Sequence, residues 1–133
     1  MSEFELVEAF YLVRAGLESS FITISTGIFA YVVVSHFAGK ELSSMTAAMI
    51  TTIYSLFLLG PVGARFVEFD RWRNIVLEHL ERFPDGIMFD GSPPPLMALQ
   101  IVGQAPLFLA WGLSMYYFHF VIRRKALNRD DGT

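Results

Sequence analysis

Few residues in this chain have side chains that could do chemistry, and their spacing sets the first expectations. Arg14 and Glu18 stand four residues apart, the spacing that puts an acid and a base on one helix face. Pairing lowers the cost of immersing either charge, so an interfacial salt bridge is expected, with ion or proton passage as the sharper alternative. His36 precedes Lys40 by four residues, and His119 precedes Arg123 by four. If both segments end on one side of a membrane, the imidazoles share a depth. They could then clamp a b-type haem or help to hold a metal. The plainer expectation is two interfacial side chains among Phe37, Tyr116, Tyr117 and Phe120, with no cofactor. Gln100 and Gln104 put two amides on one helix face, as interhelical glue or as contacts for a substrate or ion. Asp85 and Asp90 lie among glycines but supply too few oxygens for calcium, and read as turn residues.

The missing motifs narrow the function classes. There is no Gly-x-Ser-x-Gly elbow, His-Glu-x-x-His helix, phosphate loop or dinucleotide fingerprint. With no cysteine, disulfides, thiolate metal sites and cysteine nucleophiles are ruled out. A net charge of −3 argues against a nucleic-acid partner. The expectation is a protein that is not an enzyme.

The elements that would position these residues are apolar. Of the 133 residues 53% are hydrophobic and 17% charged, against about 25% charged in soluble domains. Mean hydropathy is +0.45. Between Glu18 and Arg65 the only charges are Lys40 and Glu41. One helix over that stretch would run about 70 Å, more than twice a hydrocarbon core of about 30 Å. Two spans joined by a tight turn fit, and "AGKELSS" supplies the turn. Gly39 can leave the right-handed helix, Lys40 and Glu41 stay wet, and Ser43 or Ser44 caps the next helix.

The expected architecture is all-α and polytopic, a single membrane-embedded domain over residues 1–133. The first span covers about 20–37 and has an N-terminal helical extension starting near Ser2 or Glu3. The second covers 44–63, with Pro61 as a possible kink. The third covers 96–122, with Pro106 inside it, and 123–133 form a short polar tail. Between the second and third, residues 64–83 carry Phe66, Phe69, Trp72, Val76, Leu80 and Phe83 at helical spacing, with charges opposite. This reads as an amphipathic interfacial helix, with Trp72 at headgroup depth, or as a face that covers the bundle or a partner. The acidic N-terminus lacks the basic start of a cleavable signal. Basic residues tie at five a side: Arg14, Arg65, Arg71, Arg73 and Arg82 against Lys40, Arg123, Arg124, Lys125 and Arg129. The cluster Arg123, Arg124 and Lys125 directly at a span end favours a cytoplasmic C-terminus.

Within a bilayer, small residues mark helix seams. Gly16, Ser20, Thr23, Gly27 and Ala30 form such a stripe on the first helix. Ala48, Thr51 and Ser55 do so on the second, following Ser44. Gly103 joins Gln100, Gln104, Trp111 and Ser114 on the third.

The stretch "FAYVVVSHFAGKELSSMTAAMITTIYSLF", Phe29 to Phe57, resembles small bacterial integral membrane proteins of unknown function. That resemblance implies three spans and a bacterial inner membrane, and carries no activity. The functional expectation is a non-enzymatic membrane protein that works by assembly, as a homo-oligomer or as a small accessory subunit. Its partners would be the lipid bilayer and itself or other membrane subunits. An oligomeric channel or transporter module, with Gln100, Gln104 and Ser114 on its pathway, is the second reading. A bis-histidine haem protein is the third.

Overall fold

The computed structural model describes residues 2–85 and 93–124. Three long helices make up the fold: α1 (Glu3–Ala38), α2 (Ser44–Arg82) and α3 (Leu96–Tyr116), the last running on as a π-helical segment, Tyr117–Arg123. There are no strands among the described residues. Each helix is long and apolar enough to cross a bilayer. Only 17%, 28% and 11% of their most apolar windows are buried within the chain. Water would not tolerate that much bare apolar surface, whereas lipid covers it at no cost.

The helix ends follow local chemistry. Ser2 starts α1 with a capping box: its hydroxyl accepts from the Glu5 N–H, and the Glu5 carboxylate accepts from the Ser2 N–H. The turn at 39–42 reverses the chain as expected, and Ser43 caps α2 by accepting from the Thr46 N–H at 3.1 Å. Gly39 has a different role from the one expected. Its φ of −60° and ψ of −26° are right-handed, so positive φ is not what selects glycine. An added Cβ would run into the Ser35 carbonyl and the Phe118 and Ile122 side chains. Gly39 is needed because the end of the third span crosses close over the turn. Arg123 fastens that crossing, donating to the Leu42 carbonyl at 2.9 Å and to the Ser44 hydroxyl at 3.0 Å. Pro95 stands at the N-cap of α3, and Pro106 sits inside that helix without ending it.

The expected boundary at residue 63 is not found. Pro61 lies inside α2, and residues 64–82 continue the same helix, so no separate fourth helix appears among the described residues. Proline removes one N–H and crowds one turn, and the flanking turns keep α2 intact. The apolar face of 64–82 packs against the N-terminal half of α1. Leu6, Val13 and Ile75 form a small core there, with Phe10, Leu17, Trp72 and Phe83 around it. Trp72 thus meets Phe10 with ring centroids 6.0 Å apart. The buried His79 closes the far end, its Nε2 3.3 Å from the Glu3 carboxylate. The larger core lies between the spans and joins Ile24, Tyr31, Tyr54, Leu58, Val62, Leu107 and Phe118.

Candidate functional site

Arg65 is the residue on which all three helices converge. It follows Tyr54, Leu58 and Val62 on the inward face of α2 and is only 5% exposed. Its Nη1 donates to the Leu17 carbonyl of α1 at 2.6 Å and reaches the Ser20 hydroxyl at 3.4 Å. Its Nη2 reaches the Gly103 carbonyl of α3 at 3.4 Å. The guanidinium carbon lies 5.2 Å from the Phe69 ring centroid and 5.9 Å from that of Phe21. These are cation–π distances. The Glu68 carboxylate approaches through Ser20, whose hydroxyl is 3.4 Å from it. Among the described residues no carboxylate stands within ion-pair distance of Arg65 itself.

Three helix registers agree on the depth of this knot. From Arg65 back to Ser44, from Leu17 to Ala38 and from Gly103 to Arg123 there are about twenty residues each, or about 30 Å. That is the thickness of a hydrocarbon core. In a bilayer that held the turn and Arg123 at one face, these lengths would put Arg65 at the other. The paired segments 3–16 of α1 and 66–82 of α2 would then project beyond it as a two-helix stalk.

A second polar cluster lies nearer the turn. Tyr31 and Tyr54 stack with centroids 3.9 Å apart. The Thr51 hydroxyl lies 2.9 Å from the Ala47 carbonyl, 2.9 Å from Tyr31 OH and 3.1 Å from His119 Nε2. Ser114 Oγ likewise lies 2.6 Å from the Trp111 carbonyl and 2.9 Å from Tyr54 OH. His36 is engaged elsewhere: its Nδ1 lies 2.8 Å from Tyr117 OH. The two histidines expected as a possible axial pair thus bond separate hydroxyls. Among the described residues no three His, Cys, Asp or Glu side chains gather to hold a metal.

The other candidate residues divide between the chain's interior and its surface. Arg14 and Glu18 pair at 3.0 Å and face outward, 60% and 64% exposed. Gln100 is partly buried and donates to the Phe66 carbonyl at 3.2 Å. Gln104 is 3% exposed, and neither amide atom has a partner. Gly16 abuts Glu68, Gly27 abuts Phe57 and Leu58, and Gly103 abuts Phe69. Ser20, Thr51 and Ser55 also face other helices of their own chain. Thr23, Ala30 and Ala48 are exposed. Of the expected interface residues, Phe66 and Arg124 are exposed and Phe69 lies over Gly103. Lys125, most of the 123–133 tail and Asp90 fall outside the described residues, and Asp85 is in a turn.

No family model, curated protein or solved structure matches this chain. Its site therefore rests on its own geometry. Arg65 entered the sequence reading only as one basic residue in a tally. The signal that marks it is its register: 54, 58, 62 and 65 share one helix face, so the first charge after the turn points inward. Tyr31 and Tyr54 gave no such signal, because a tyrosine in a span also reads as plain apolar filling.

Proposed function

We propose that this chain is a non-enzymatic protein of the bacterial inner membrane that acts by assembling, with itself or as a small subunit beside other membrane chains. Its C-terminal tail lies in the cytoplasm in this reading, because Arg123, Arg124 and Lys125 abut the span end. The observation that carries the proposal is an unused small-residue face on α2. Ala48, Thr52, Gly60 and Ala64 follow at steps of four or eight residues, and all are exposed, as is Gly63. A Cβ added to Gly60 or Gly63 meets nothing within 4 Å. Glycine inside a helix costs about 1 kcal/mol relative to alanine. Within this chain nothing offsets that cost, whereas close approach of another helix does, as at small-xxx-small seams in bilayers. Gly27, one of the small residues expected at a seam on the first helix, is packed against its own chain's Phe57 and Leu58. The stalk would give the assembly a charged surface outside the bilayer, with Arg71, Asp70 and Asn74 outward or half-exposed.

Native mass spectrometry of the protein, gently extracted from its membranes, tests this. A multiple of the 15.0 kDa chain, or a mass that includes other chains, is expected. Gly60→Leu should reduce it to the single chain. A single chain from the start, or an assembly indifferent to Gly60→Leu, counts against this seam.

A pathway remains a second reading because of Gln104, whose buried amide is unsatisfied on both atoms. Trp111 Nε1 nearby on the same helix face is also without a partner. Ion or solute flux in liposomes, changed by Gln104→Leu, is its expected result. Silence across a range of ions removes it.

A further inference from the structure

The surface between α1 and α2 holds two adjoining cavities that meet at Ile22. The first, about 460 Å³, is walled by Arg14, Glu18, Phe21, Phe69 and Arg65. The second, about 630 Å³, is an apolar groove over Gly27 and Ala30, flanked by Ile53 and Phe57 and reaching Val34. We propose that this composite cleft binds one anionic phospholipid, with its phosphate between Arg14 and Arg65 and one acyl chain along the groove. The inference rests on the chain crossing a bilayer, as above.

Three observations support it. The first is charge. Two guanidiniums and the Glu18 carboxylate line the upper cavity, while Glu68, which shares the Ser20 hydroxyl with Arg65, lies outside its lining, so the wall itself presents one positive charge to a phosphodiester. Arg65 contributes most, because it lines the cavity with no carboxylate in ion-pair reach among the described residues, its Nη atoms held in place by the Leu17 and Gly103 carbonyls. Arg14 sits at the rim, paired with Glu18 at 3.0 Å among the described residues. The second is depth. The helix registers put Arg65 where the hydrocarbon ends, which is where a phospholipid's phosphate and glycerol lie. The third is length. From Ile22 to Val34 the groove runs about 18 Å, and half of a hydrocarbon core is about 15 Å. A second copy of the chain would bring a helix that crosses the whole core and would need a longer groove. A single leaflet's acyl chain fits this one.

Phe21 and Phe69 hold the guanidinium from either side, so it presents a fixed donor set to an oxygen anion. Thr26 and Ala30 are small and leave the groove floor open. A bulky side chain at Ala30 would fill the acyl channel without touching the headgroup cavity.

The test uses the full chain in detergent micelles, titrated with phosphatidylglycerol or phosphatidylcholine of identical acyl chains and read by native mass spectrometry. One phosphatidylglycerol should be retained per chain, well above phosphatidylcholine. Arg14→Gln should weaken its retention about tenfold, the loss of one charge-assisted contact. Ala30→Phe should weaken both lipids alike. Both residues are exposed, so folding is expected to survive, and unchanged circular dichroism confirms it. Equal retention of the two lipids, or indifference to Arg14→Gln, overturns the proposal. So does retention of glycerol phosphate as strong as that of the lipid, which would mean a free-anion site. The chain lacks cysteine, so Ala30→Cys supplies a unique thiol. A cross-linked dimer through it would mean that a second copy fills the groove, and would also overturn the proposal. Flotation of the wild type with phosphatidylcholine vesicles separates the two levels. Failure to float sinks the membrane reading itself, whereas flotation without lipid preference sinks only this site.

Discussion

Arg65→Ala is expected to lower the stability of the detergent-solubilised protein by about 3 kcal/mol, and Arg65→Met by about 1 kcal/mol. The two variants separate the contributions of the side chain. Alanine removes the charge, the bonds to the Leu17 and Gly103 carbonyls, the stacking on Phe69 and Phe21, and the volume of the stem. Charge-assisted bonds contribute about 1.5–3 kcal/mol each, and the cation–π contacts about 1 kcal/mol. Against that stands the relief of a guanidinium held out of water, which costs several kcal/mol. The carbonyls it leaves are helical and keep their backbone partners, so no orphan acceptor remains. The net loss is therefore far smaller than the sum of the bonds. Methionine keeps most of the volume and gives up the charge, so it recovers most of what the cavity costs. Thermal or denaturant unfolding of both variants checks the order. If methionine proves as damaging as alanine, the charge itself and not the volume holds the knot.

Gly103→Leu should be comparably severe, at about 2–3 kcal/mol, with Gly103→Ala milder. The Phe69 ring edge lies over Gly103 so closely that even a Cβ must displace it. The ring is the end of a rotatable side chain and can turn aside for a methyl group. It cannot do so for an isobutyl group without lifting α3 away from α2. Lifting α3 also carries the Gly103 carbonyl out of reach of Arg65 Nη2. The two substitutions therefore break one junction, and their effects should fall short of additivity in a double-mutant cycle. Full additivity would mean that Phe69 and Arg65 hold α3 independently.

Much of the architecture was legible because it depends on local or one-dimensional physics. The long uncharged stretch interrupted only by Lys40 and Glu41 demands two spans, since the hydrocarbon core limits how far one helix can usefully run. Ser2 and Ser43 announce helix starts because a hydroxyl at that position satisfies an N–H three residues on. The Arg14–Glu18 pair forms because its spacing alone brings the charges together. Each of these follows from the length of a segment or from residues within four positions of each other.

The partners across helices were decided by tertiary structure. The apolar face of residues 64–82 is equally compatible with a membrane surface and with another helix. Only the long N-terminal half of α1 provides the face that covers it, through Leu6, Phe10 and Val13. Gly39 was correctly placed in the turn but for a different reason, because it is crowded by the Ser35 carbonyl and by Phe118 and Ile122 from the far end of the sequence. His36 lies near the end of α1 and His119 in the π-helical segment. The rotation of each helix about its axis then turns one toward Tyr117 and the other toward Thr51. The glycines divide in the same way: Gly16, Gly27 and Gly103 pack against side chains of their own chain, while a Cβ at Gly60 or Gly63 meets nothing within 4 Å. Sequence alone determined which segments are long and apolar enough to cross a membrane and where the chain turns, because both follow from segment length and hydropathy. Which residues meet at Arg65 depends on how three helices rotate and slide against one another, and a one-dimensional pattern does not encode that.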